Sequence, residues 1–145
     1  MQWGFIALAA VGGALLPLQA LINARLGQSI GGPVWAACTS FLVGTVGLAL
    51  FLLVQRAPLP TLGQLPTTPW LWAGGLLGAF YVAAAIVSVQ HLGAAATIAL
   101  VIAGQLTASL LLDHFGVLAA PHPLTLLRVA GAVLLFAGAW LITRF

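Results

Sequence analysis

Residues 70–112 read WLWAGGLLGAFYVAAAIVSVQHLGAAATIALVIAGQLTASLLL, and whether they cross a membrane once or twice decides the fold. The stretch contains no Asp, Glu, Lys or Arg. A bilayer core takes roughly 20 mostly apolar residues per helix, so this run is long enough for two crossings. His91-Leu92-Gly93, near its middle, reads as a tight turn between spans Trp70–Gln90 and Ala94–Leu112. Outward from it lie three more apolar runs, Trp3–Asn23, Val34–Val54 and Leu124–Thr143.

Each break between these runs has a physical cause. Gly27, Gly31, Gly32 and Pro33 end the first helix and start the second. The segment from Arg56 to Pro69 holds Pro58, Pro60, Pro66 and Pro69, too many for a helix, and reads as an extended external loop. Asp113-His114-Phe115-Gly116 ends the fourth span, and Pro121-His122-Pro123 leads into the fifth. The expected architecture is an all-α integral membrane domain over residues 1–145 with five spans. The first run resembles a signal peptide, with Leu18-Gln19-Ala20 as a cleavage site. It lacks a basic leader and exceeds the about 7–15 apolar residues of a signal, so it reads as a retained span.

Composition agrees. The chain is 63% hydrophobic and 3% charged, with a mean hydropathy of +1.20. Soluble domains carry roughly a quarter charged residues, so lipid must be the solvent for most of this surface. The net charge of +3 comes from dispersed arginines, which do not form the basic patch that nucleic acid requires. The single cysteine, Cys38, excludes an intrachain disulfide. Trp3, Trp35, Trp70, Trp72 and Trp140 fall near span ends, where indoles settle at the lipid–water boundary. Small residues at helix-contact spacing, such as Gly74/Gly78, Ser40/Gly44/Gly47 and Gly131/Gly138, suit close packing in a compact bundle.

With five spans, the N-terminal side carries Arg56 and Arg128, and the opposite side carries Arg25 and Arg144. Orientation follows an excess of Lys/Arg in cytoplasmic loops. There is none here unless Arg25 or Arg128 is buried in the bundle, so copies are expected to insert both ways. Two such copies packed antiparallel would reproduce the inverted repeats of many transporters, whose substrate sites lie near the midplane.

Polar groups inside the spans are costly and face the bundle interior. In the first span Pro17 lacks an N–H and frees the Gly13 carbonyl, a natural hinge. Gln19 and Asn23, four residues apart, share a face just beyond it. They either bind a polar ligand or hydrogen-bond between helices. In the third span Gly74, Gly78, Tyr81, Ala85 and Ser88 share a face. In the fourth, Gln105, Ser109 and Asp113 form a stripe at four-residue steps, as the wall of an aqueous path would. Asp113 lies at the membrane edge, suited either to coupling or to a structural partner such as an arginine or a helix cap. No base-and-nucleophile pair, phosphate-cradling loop or metal-ligand spacing occurs among Ser, His and Asp, so neither an enzyme, a cofactor nor a metal is expected.

The chain resembles the YdcZ-type branch of the drug/metabolite transporter superfamily over nearly its whole length. The resemblance rests on Pro17-x-Gln19-Ala20-x-x-Asn23-Ala24-x-Leu26-Gly27 and Gly74-Gly75-x-x-Gly78-Ala79-x-Tyr81-Val82. It continues through Leu92-Gly93-Ala94, Gly104-Gln105-x-x-x-Ser109-x-x-x-Asp113-His114-Phe115-Gly116, and Arg128-x-x-Gly131 with Gly138. It implies a five-helix protein of a bacterial inner membrane, in dual-topology homodimers, heterodimer pairs or fused forms. The glutamate that couples small multidrug-resistance relatives to protons has no counterpart in the first span.

The expected function is alternating-access transport of a small molecule by an antiparallel homodimer. Gln19, Asn23, Tyr81, Ser88, Gln105 and Ser109 of each copy would line the cavity. A non-transporting scaffold subunit and a passive small-solute channel are the alternatives.

Overall fold

The computed structural model describes residues 2–117 and 120–145, with the Leu62 side chain outside the description. All regular structure among them is helical: α1 (Gln2–Ile30), α2 (Pro33–Val54), α3 (Ala73–Phe115) and α4 (Leu126–Arg144), with 3-10 turns at Leu62–Gln64 and Pro69–Trp72. Among the described residues four segments are long and apolar enough to cross a membrane, the third being the 47 residues Pro69–Phe115. A 47-residue helix would span about 70 Å, more than twice a bilayer core.

The five expected runs therefore occupy four helical segments, because the anticipated turn at His91–Gly93 is compressed into one residue. His91 and Leu92 stay helical, and only Gly93 departs, at φ 78° and ψ 168°. That region is essentially closed to residues with a Cβ. α1 also runs further than expected, through Arg25 and past Gly27. A Cβ on Gly27 would lie 3.2 Å from the Gly32 carbonyl oxygen, so this glycine permits close packing rather than ending the helix. From Arg56 to Thr68 the chain is non-helical apart from the 3-10 turn Leu62–Gln64, closed by Gln64 N donating to the Thr61 carbonyl and Thr61 N donating to Gln64 Oε1.

The chain divides into two compact units, Met1–Gln90 and His91–Phe145. In the first, α1 and α2 pack as a hairpin on the turn Gly31-Gly32, both at positive φ, and Pro33 opens α2. The buried apolar residues among those described are mostly alanines: Ala20, Ala24, Ala36, Ala37, Ala85, Ala103 and Ala139, with Ile86 and Val89. Most large side chains of α1 and α2, from Phe5 to Val54, are exposed instead, with Leu16 and Leu26 half-buried. A water-soluble protein inverts this arrangement, whereas lipid rewards small residues between helices and large ones outside.

The glycine spacings account for little packing within the chain. Gly78 does serve, since a Cβ there would meet the Phe41 ring at 3.2 Å. Cβ atoms on Gly44, Gly47, Gly74, Gly131 and Gly138 would meet nothing within 4 Å. Their faces are open among the described residues.

Candidate functional site

In the first unit, Leu16, Gln19, Ala20 and Asn23 stack along one face of α1, at the steps of three and four residues that a helix aligns. Tyr81, Val82 and Ala85 of α3 face them across a gap of about 10 Å³, room for about one water. Gln19 and Asn23 also border a groove of about 410 Å³ between α1 and α2, closed by Thr39, Ser40 and Val43. A third space of about 270 Å³ is bounded by Gln19, Ser40, Phe41, Gly44, Thr45 and Val82. Gln19 lines all three and stands at their junction.

The two amides of α1 behave differently. Asn23 is 4% exposed and donates through Nδ2 to Ser40 Oγ at 3.3 Å, tying α1 to α2. Gln19 is exposed, and among the described residues neither its amide nor the Tyr81 hydroxyl has a hydrogen-bond partner within the chain. Below them Gln90 Nε2 donates to the Ala24 carbonyl at 3.3 Å, fastening α3 to α1 just before the Gly93 break. Pro17 lies within α1, which stays helical through it.

Of the residues expected to share a site, Gln19, Asn23 and Tyr81 come together. Ser88, half-buried on α3, borders none of these three spaces. Ser40, the partner of Asn23, counted in the sequence only as a small packing residue. The signal that could have singled it out is its place one turn before Gly44, on the face that meets Gln19.

Gln105 and Ser109 belong to the second unit. Ser109 lines a cleft of about 370 Å³ with Leu106, Leu110 and Asp113 of α3 and Arg128, Gly131 and Ala132 of α4. Gln105 is exposed and does not border it. Asp113 has an arginine partner: Arg128 Nη1 lies 3.5 Å from Asp113 Oδ2 and from the His122 carbonyl. The connection is knitted further by His122 N donating to the Asp113 carbonyl at 2.7 Å and Leu124 N to His114 Nδ1 at 3.4 Å. Thr125 caps α4 by accepting from Arg128 N. Arg25 and Arg128 are both exposed. Trp72, expected as a boundary anchor, donates through Nε1 to the Pro66 carbonyl at 3.2 Å. No group of metal-ligating side chains occurs among the described residues.

Long apolar helices, outward-facing large side chains and an uncharged polar cleft define a multi-pass membrane protein. The family described as "Putative inner membrane exporter, YdcZ" matches residues 4–141, and the chain belongs to it. It is 34% identical over 142 residues to "Inner membrane protein YdcZ" of Escherichia coli (strain K12), covering 97% of this chain and 93% of that one. No solved structure matches. The chain is accordingly a multi-pass inner-membrane protein of an exporter family rather than an enzyme family.

Proposed function

We propose that the protein moves a small molecule across the inner membrane by alternating access, as an antiparallel homodimer of five-crossing chains. One observation carries the reading: Gln19 and Tyr81 present unpaired polar groups to one cleft in a membrane-embedded unit. Unpaired polar groups at that depth are costly unless they face an aqueous path or a ligand. Family membership in an exporter group supports the same conclusion. The two halves of α3, before and after Gly93, are each long enough for a crossing. The open faces at Gly44, Gly47, Gly131 and Gly138 suit close approach by a second copy.

In this reading Gln19 and Tyr81 contact substrate, while Asn23 and Ser40 hold α1 and α2 in register around them. Ser88 and Gln105 of both copies contribute to the path, and Pro17 lets α1 flex. No fixed charge borders the cleft, so a neutral or zwitterionic substrate fits best. The narrow gap between α1 and α3 favours a second reading, a non-transporting scaffold subunit.

Proteoliposome flux separates the two. Transport predicts flux of at least one small metabolite. Tyr81→Phe, which removes one hydroxyl, should lower kcat/KM about tenfold, and Gln19→Ala should do so at least as much. Absence of flux for every metabolite screened, from folded dimers, favours the scaffold.

A further inference from the structure

The cleft of the second unit grades from charge to hydrocarbon. Asp113 and Arg128 stand at one end, and Leu106, Leu110 and Ala132 form the other, with open space over Gly131. Leu106 and Asp113 are two helical turns apart, about 10 Å along the axis. Asp113 lies near the C-terminus of α3 and Arg128 in the first turn of α4, so the charged end marks where both helices leave the membrane. A phospholipid grades in the same order over the same depth, headgroup first and acyl chain beneath.

The charged pair is loosely made. Arg128 reaches both Asp113 Oδ2 and the His122 carbonyl through Nη1 alone, each at 3.5 Å. Well-formed charge-assisted bonds run nearer about 2.7–2.9 Å. The two side chains remain 39% and 44% exposed. Among the described residues, Asp113 Oδ1 and the other guanidinium nitrogens have no partner within the chain. Adjacent opposite charges with unused bonding capacity complement a zwitterion laid antiparallel to them. Its phosphate would accept from Arg128, and its ammonium would donate to Asp113.

We propose that this cleft binds a phospholipid with a primary-amine headgroup, of the phosphatidylethanolamine class. The acyl chain lies along Leu106, Leu110 and Ala132, and the Ser109 hydroxyl lines the same cleft as a donor for an ester oxygen. A choline headgroup has no N–H to give Asp113, and a glycerol headgroup has no cation. The site therefore discriminates among bilayer lipids by headgroup. The proposal rests on membrane location and not on transport, so a scaffold subunit would carry the site equally.

Native mass spectrometry of the purified full-length protein tests it, after delipidation and addition of phosphatidylethanolamine, phosphatidylcholine or phosphatidylglycerol with matched chains. The ethanolamine lipid should be retained about tenfold over the choline lipid, as loss of one charge-assisted bond implies. Asp113→Asn should abolish that preference without lowering phosphatidylglycerol retention, since it removes a carboxylate that repels the anionic phosphate. Arg128→Gln should lower retention of all three. Equal retention of ethanolamine and choline lipids by the unaltered protein overturns the proposal without recourse to any variant. So does a preference that survives in Asp113→Asn with native elution. Soluble phosphoethanolamine that displaces the lipid at equal concentration overturns the lipid assignment, since the headgroup alone would then be the ligand.

Discussion

Thr97 carries a clear local conflict: it is 1% exposed, and among the described residues its Oγ1 has no hydrogen-bond partner. Helical threonines elsewhere, Thr45 and Thr107, each donate to the carbonyl four residues back at 2.8 Å. For Thr97 that carbonyl belongs to Gly93, whose ψ of 168° turns it out of the helical direction. The hydroxyl loses its acceptor because the backbone breaks there. Replacing an unsatisfied buried hydroxyl by a methyl of similar shape removes a desolvation cost of about 1 kcal/mol or more. Thr97→Val should therefore raise the thermal midpoint in detergent, read by circular dichroism, and a lowered midpoint would mean the hydroxyl has found a partner. This conflict was not legible in the sequence, because Thr97 reads as one small residue in an alanine-rich helix. Gln19 and Tyr81 were legible, since an amide and a phenol stand out in apolar runs. The Asn23–Ser40 bond needed the α1–α2 hairpin before either residue could be assigned a partner.

At the scale of elements, three helices end in one way. Gly32 N bonds the Gly27 carbonyl, Ala57 N the Leu52 carbonyl and Val117 N the Leu112 carbonyl, at 2.8, 3.0 and 2.9 Å. Each bond closes a Schellman turn around a residue of positive φ: Gly31, Arg56 and Gly116. The two glycine ends could be read in advance, because Gly31-Gly32 runs into Pro33 and Gly116 follows the polar Asp113-His114, both of which punctuate a helix. The Arg56 end could not, since arginine has no preference for φ 51°. Gly93 is a different device, a break without a loop, and its cost is purely conformational because a Cβ there would touch nothing. Gly93→Ala should destabilise by about 1–3 kcal/mol. Gly75→Ala and Gly104→Ala, helical and equally open, should be neutral or stabilising by up to about 1 kcal/mol. Thermal midpoints of the three variants check this, and equal midpoints would mean that the break carries no conformational preference.

For the whole molecule, the break at Gly93 determines which arginines share a side, and charge counting turns that into a measurement. If α3 crosses twice, Arg56 and Arg128 lie on the N-terminal side, with Arg25 and Arg144 opposite. If it crosses once, Arg56 and Arg144 share the N-terminal side, with Arg25 and Arg128 opposite. Both arrangements tie at two against two, so the count alone could never have separated them. Removing one arginine does, because the side left with the excess becomes cytoplasmic. Arg56→Gly suits the purpose, since glycine accepts φ 51° and the turn should survive. With five crossings it leaves the side of the C-terminus in excess and moves Phe145 to the cytoplasm. With four it moves Phe145 the other way. Arg144→Gln exports the C-terminus in either case, so it reports that the charge count governs insertion at all. Paired reporters fused after Phe145, one active in the cytoplasm and one outside it, read the outcome. In the unaltered chain both should be active; activity from one side only would refute dual insertion. Arg56→Lys should preserve the balance, while Arg56→Gly should favour the cytoplasmic reporter severalfold, and a shift toward the external reporter would mean that α3 crosses once.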